Sequence, residues 1–189
     1  MIEWIDLWSL LFGNDGVAFA DFLILGRYIV SVTGVTSGLR YAEIVFDDVT
    51  SPGGTHGIQC GIVTVSNAAA ARDGVCVSSS GRIWSLGAAL DTPDQTNGPT
   101  FTAGQVAMFC ANPATGKCWI GKVGTGWYGG GDPAAGTGQT ATLGTGLFHL
   151  AAAIELDGSA PTGGAQFTLR TQASQFSASI PSGGSAWYT

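Results

Sequence analysis

Gln105-Val106-Ala107-Met108-Phe109-Cys110-Ala111, then Asn112-Pro113-Ala114-Thr115-Gly116, then Lys117-Cys118-Trp119-Ile120-Gly121-Lys122-Val123 reads as strand, turn and returning strand. Asn, Pro and Gly in the middle five residues favour a reversal, because Pro fixes its own φ and Gly tolerates the left-handed region. The flanking runs are of strand length, and Ala107-Met108-Phe109-Cys110 is apolar on both of its alternating faces. A strand with two apolar faces must be covered on both sides. Two stacked sheets follow from it more naturally than one open sheet.

The same grammar extends outward along the chain. Strand-like runs at 39–46, 58–65, 75–78, 147–156, 165–171 and 176–180 alternate with turn clusters at 51–54, 94–99, 129–138 and 158–164. Leu150-Ala151-Ala152-Ala153-Ile154 is again apolar on both faces, whereas Gln166-Phe167-Thr168-Leu169-Arg170 alternates and predicts a strand with one wet side. Long amphipathic helices have nowhere to sit; one helical turn at 68–71, capped by Asn67, is the sole rival. The expected architecture is an all-β, antiparallel β-sandwich with Trp84, Phe109, Trp119, Ile154, Phe167 and Leu169 in its core.

The chain has 189 residues, the size of one domain with its own core. Hydrophobic residues make up 45% and charged residues 11%, with formal charge -6, so a packed, weakly charged protein is expected rather than a disordered one. The seven cations, Arg27, Arg40, Arg72, Arg82, Lys117, Lys122 and Arg170, never form a run, which argues against binding a phosphate backbone. The most apolar stretch, 17–30, is broken by Asp21 and Arg27 and is too short to cross a membrane as a helix. The opening Met1-Ile2-Glu3-Trp4-Ile5-Asp6 has acids where a secretory leader carries lysines, so no export signal is expected.

Residues 1–36 differ in texture from 37–189, with Trp4, Ile5, Trp8, Leu11 and Phe12 followed by Phe19, Phe22, Leu23, Ile24 and Leu25. Such a segment needs a partner surface. Either it supplies outer strands and a plug for the sandwich, or it attaches the sandwich to another subunit.

Three segments in order, Ser37-Gly38-Leu39-Arg40-Tyr41-Ala42-Glu43-Ile44, Gly57-Ile58-Gln59-Cys60-Gly61-Ile62 and Gly74-Val75-Cys76-Val77-Ser78-Ser79-Ser80-Gly81-Arg82-Ile83-Trp84, resemble the start of a SPRY (B30.2-like) domain. Phe101-Thr102-Ala103-Gly104-Gln105-Val106 is similar to the entry of that family's central hairpin, and Pro113-Ala114-Thr115-Gly116-Lys117-Cys118-Trp119-Ile120-Gly121-Lys122 to its turn and return. Trp127-Tyr128-Gly129-Gly130-Gly131-Asp132-Pro133-Ala134-Ala135-Gly136-Thr137-Gly138 resembles SPRY-like proteins of tailed bacteriophages and prophages in particular. Gln172-Ala173-Ser174-Gln175-Phe176-Ser177-Ala178-Ser179-Ile180-Pro181-Ser182-Gly183 resembles the closing strand and exit. The chain departs from the phage pattern at Val123-Gly124-Thr125-Gly126-Trp127, where an Asn-Gly turn is usual. The resemblance implies a bent, concanavalin-like sandwich that binds partners through loops without catalysis and, in phages, forms part of the virion.

The residues that chemistry would require are sparse. Glu43, Asp47, Asp48, Glu155 and Asp157 are the carboxylates nearest to strands; Glu155 and Asp157 share a face, as a glycosidase pair would, yet Asp157-Gly158 is also an ordinary turn. His56 and His149 are the only histidines, and no Gly-x-Ser-x-Gly elbow precedes either. Cys60, Cys76, Cys110 and Cys118 lack zinc-site spacing. Cys110 and Cys118 flank the hairpin turn and would form a disulfide if they faced each other; a one-residue shift of register places them on opposite faces, as free thiols. The Gly-rich 129–138 loop has neither the Gly-Lys-Ser/Thr ending nor the helix of a phosphate cradle. Trp127, Tyr128 and Asp132 make it the candidate contact surface, unless Trp127 instead caps the core.

The expectation is therefore a non-enzymatic structural and binding protein of a tailed-phage virion, assembled in the host cytoplasm. It would be a capsid or tail accessory, decoration or fibre subunit. Its partners would be other virion proteins and further copies of itself, with no cofactor, metal, nucleic acid or membrane. The alternative is a lectin-like, receptor-binding module recognising host surface glycan.

Overall fold

The computed structural model of the protein describes residues 22–25, 28–31, 34–49, 58–64, 73–86, 93–95, 98–154 and 166–188. In chain order the strands are β1 (Phe22–Leu25), β2 (Tyr28–Ser31), β3 (Leu39–Asp48), β4 (Ile58–Thr64), β5 (Asp73–Ser78), β6 (Ile83–Leu86) and β7 (Pro93–Gln95). They continue with β8 (Gln105–Asn112), β9 (Lys117–Lys122), β10 (Gly126–Trp127), β11 (Ala141–Thr142), β12 (Phe148–Ile154), β13 (Gln166–Arg170) and β14 (Gly184–Ala186). Among the described residues the helical content is confined to the 3-10 turns Tyr128–Gly130 and Ala173–Gln175.

Two sheets form. The first has the order β1-β2-β12-β4-β5-β6-β7, and the second β10-β9-β8-β3-β13. On the free edge of β9, β11 follows β10; on the edge of β3 taken by β13, β14 pairs parallel with Leu39, Arg40 and Tyr41 while all other pairings are antiparallel.

Alternation along the strands assigns the faces. Ala42, Ile44 and Phe46 of β3, Ala107 and Phe109 of β8 and Ile120 of β9 point between the sheets, where they meet Cys60, Ile62, Val75, Val77, Ile83, Phe148 and Leu150. Phe46 stacks on Phe101 at 4.6 Å and meets Phe167 edge-on at 5.2 Å. Full burial of each Val, Ile, Leu or Phe among them contributes roughly 1.5–3 kcal/mol, and of each Ala less.

The other face of the second sheet carries Tyr41, Met108, Cys110 and Trp119, all buried under Trp127, Phe176, Ala178 and Ile180. The two-sided apolar character of β8 is thus satisfied, but its outer cover is not a sheet. Residues 176–180, expected as a strand, run across the face as an irregular strap. Both edges of β3 are already occupied, by β8 on one side and by β13 and β14 on the other, so this segment, laid over the face of β3, has no ladder position on that strand.

The predicted core residues divide accordingly. Phe109 is buried between the sheets, Trp119 is buried beneath the strap, and Phe167 and Leu169 are half-buried against the inter-sheet cluster. Trp84 and Ile154 lie on β6 and β12, with side chains outside the described set. The apolar stretch before residue 37 contributes β1 and β2 as outer strands beside β12, and Val35 bridges to Phe148. Residues 68–71, the one candidate helical turn, lie outside the described residues.

Candidate binding surface and its supports

The long loop after β10 is fastened to β9 rather than hanging free. Indole Nε1–H of Trp119 donates to the Thr137 carbonyl at 2.8 Å, and Lys117 Nζ donates to the Gly136 carbonyl at 2.7 Å. Within the loop, Asp132 and Thr137 exchange backbone hydrogen bonds of 2.9 and 3.0 Å, and Asp132 Oδ1 accepts from the Ala135 N–H at 3.1 Å. The Ile120 N–H donates to Thr140 Oγ1 at 3.0 Å where the loop rejoins the sheet edge.

This fastening separates the three residues expected to form one contact platform. Trp127 turns to the outer face, meeting Tyr41 edge-on at 6.2 Å, and is half-buried there. Tyr128, one position later, packs against the inter-sheet cluster. Asp132 is exposed where it opens the 132–137 turn. Both aromatics therefore cap the core, and Asp132 is the one exposed charged residue among those whose burial is described. The other exposed positions of 100–104, 124–126, 129–139 and 142–147 are Gly, Ala, Thr and Gln, together with Leu147, 40% exposed.

The carboxylate of Glu43 is wholly buried. Alternation along β3 places it on the outer face with Tyr41, and it accepts the Ser177 N–H at 2.8 Å, the Ala178 N–H at 2.8 Å and the Tyr41 hydroxyl at 2.9 Å. Arg170 Nη1 lies 3.4 Å from its Oε2 and donates to Ser177 Oγ at 2.6 Å. Four donors converge on one carboxylate, which suits a buried charge. Burial, and then the neighbouring Glu43 charge, hold the Tyr41 phenol far above its ordinary value. The sequence marks Glu43 only as one of the carboxylates nearest to strands; in the structure it pins the strap. Its only sequence signal is an acid within the apolar run 41–46.

His149 holds a second junction. Its Nδ1–H donates to the Ser31 carbonyl at 2.6 Å, and Ser31 Oγ accepts the Leu150 N–H at 3.1 Å, tying the end of β2 to β12. Burial lowers its pKa, opposed by that hydrogen bond. Asp47 sits at the bulge where β3 carries one extra residue opposite β13, its Oδ2 buried without a hydrogen-bond partner among the described residues. Asp48 ends β3 opposite Gln166. Glu155, Asp157 and His56 lie outside the described residues, as do Trp4, Ile5, Trp8, Leu11 and Phe12.

The Cys110–Cys118 bridge does not fit the observed hairpin. Cys110 pairs with Trp119 and Cys118 with Ala111, so Cys110 belongs to the outer cluster and Cys118 to the inter-sheet one. All four cysteines are free and buried. Burial pushes the Cys110 thiol up to about 12, eased by a hydrogen bond with the Ala111 backbone, and raises Cys118 and Cys60 strongly. The register is set by the turn, where the Thr115 and Gly116 N–H groups both donate to the Asn112 carbonyl. Gly116 has φ 74, and a Cβ there would collide with the Leu143 carbonyl.

No family model and no curated protein matches the chain. Among solved structures it is similar to the SPRY domain of human HERC1, with 18% identity over 76% of this chain and 80% of that chain and a TM-score of 0.53. Likeness at that identity concerns the fold alone, and the fold is a SPRY-like β-sandwich.

Proposed function

We propose that the protein is a non-enzymatic binding module, working as a structural or attachment subunit of a tailed-phage virion. The observation that carries this reading is that the buried Glu43 and His149 each hold one chain segment against another, while the exposed rim is small, uncharged apart from Asp132, and shaped by fastened loops. Such a rim recognises by shape and backbone hydrogen bonding rather than by charge. The phage context rests on the resemblance of 127–138 to SPRY-like phage proteins and on the apolar residues Trp4, Ile5, Trp8, Leu11 and Phe12, which would join the sandwich to the particle. Protein contact is favoured over glycan binding because Trp127 and Tyr128 pack into two different clusters and do not form one aromatic platform.

A mass-spectrometric inventory of purified particles, with and without residues 1–12 of this chain, tests the reading. The full chain is expected in the particle, and the truncated chain is expected to fold but to be missing from it. Normal incorporation of the truncated chain overturns the attachment role; absence of the full chain from particles overturns the virion role.

A further inference from the structure

We infer that the outer edge of β13 is a self-pairing edge, through which two copies of the chain join antiparallel about a two-fold axis at Thr168 and continue the second sheet from one copy into the next. This inference stands whether or not the protein belongs to a virion. β13 ends the second sheet, and among the described residues no strand pairs with its other side. An edge strand left open is a template for another strand unless it is blunted by proline, by a bulge of its own or by charge along its length. β13 contains no proline, and the bulge opposite it lies in β3, at Asp47, leaving β13 itself continuous. Its single charge, Arg170, is at one end and turned towards Glu43 and Ser177.

The sequence of the strand is complementary to itself. Antiparallel about Thr168, Phe167 lies opposite Leu169, Gln166 opposite Arg170 and Thr168 opposite its own copy, so apolar meets apolar, polar meets polar and no like charges face each other. Shifting one copy by a single residue would set Phe167 opposite Thr168 and turn the core faces of the two copies to opposite sides. Shifting by two would leave part of the five-residue strand unpaired. Phe167 and Leu169 are only half-buried within one copy, and pairing covers the remainder. Contacts below about 1,200 Å² are of the weak, transient class, and a five-residue edge belongs there, so association should depend on concentration.

The test uses the full chain in sedimentation equilibrium over a wide concentration range, together with Thr168→Lys and Thr168→Cys. The wild type is expected to pass from monomer to dimer as concentration rises. Thr168→Lys sets two ammonium groups face to face and is expected to stay monomeric with an unchanged circular dichroism spectrum. Thr168→Cys, in a background of four buried cysteines, should form a 168–168 disulfide about tenfold or more faster than Ser182→Cys, an exposed control, because pairing holds the thiols at high effective concentration. A wild type that remains monomeric, an oligomer that persists in Thr168→Lys, or cross-linking no faster than in the control overturns the inference. If Thr168→Lys fails to fold, the cross-linking comparison decides alone.

Discussion

The two faces of the second sheet each bury a cluster of apolar side chains, by different means. On the inner face Ala42, Ile44, Phe46, Phe109 and Ile120 meet another sheet, whose strands carry their own hydrogen-bond ladders and would pair without them. On the outer face Tyr41, Met108, Cys110 and Trp119 meet a strap that has no ladder and is held by a buried carboxylate. The inner closure is a matter of volume. The outer closure depends on a few directed bonds, so single substitutions should separate the two.

The largest effects are expected where a fully buried ring is lost, on either face. Phe109→Ala should lower the unfolding free energy by about 3–5 kcal/mol, through lost transfer energy and the cavity left between two sheets that cannot collapse freely. Trp119→Ala should cost a similar amount, with a second consequence that Phe109→Ala lacks: loss of the indole donor to Thr137 frees the 132–137 turn. Amide exchange at Thr137 and Gly136 would reveal this. Equal protection in the two variants would break the proposed division between faces.

Glu43→Gln comes next. The amide oxygen can still accept from the strap, but its NH2 group then faces the Ser177 and Ala178 donors, and Arg170 loses its counter-charge. Leaving buried groups unpaired costs about 1–3 kcal/mol, and the loss should be local, with faster exchange across 173–180 and an unchanged inner face. Uniformly faster exchange would mean that the strap and the sandwich are one cooperative unit.

How far these faces were legible in the sequence follows from what each depends on. The two-sided apolar pattern of 107–110 required a cover on both sides of β8, and the turn at Asn112–Gly116 required a hairpin; both are present. The strap reads as a strand because Phe176, Ala178 and Ile180 alternate as a strand would, and alternation cannot tell a ladder from an extended coil laid on a sheet. What decides is whether an edge is free where the segment lies, and on β3, beneath it, both edges are taken. The contact platform divides for a related reason: β10 ends at Trp127 and a 3-10 turn begins at Tyr128, so the chain changes direction between the two rings and they join different clusters. The bonds of Glu43 to Ser177 and Ala178 span more than a hundred residues and leave no local pattern.

His149 offers a smaller, pH-dependent probe of the first sheet, for contrast with the strap. Burial holds its pKa below the ordinary value of 6.5, so the unfolded chain binds a proton more readily than the folded one. The stabilisation is complete above the ordinary histidine pKa and is lost as pH falls through the depressed folded value. Urea midpoints measured at about pH 7.5 and about pH 5.5 should therefore drop on acidification, and His149→Gln should remove the part of the drop due to this residue. An identical drop in the variant would assign the acid sensitivity to other groups.

The smallest expected effect is none, and it sharpens the comparison because the two faces each hold one thiol of the same hairpin. Reductant should leave the melting temperature unchanged, since Cys110 and Cys118 are held apart by a register that the Asn112–Gly116 turn dictates. Both thiols have raised pKa values because they are buried, so very little thiolate exists at neutral pH and alkylation should proceed only through opening of the structure. The rates should then differ by face: Cys110 becomes reachable when the strap lifts, a local event, whereas Cys118 requires the sheets to part. In Glu43→Gln the labelling of Cys110 should quicken while that of Cys118 stays near the rate of global unfolding. Parallel acceleration of both would show that the strap does not open independently, and a fall in stability on reduction would restore the disulfide that the observed register excludes.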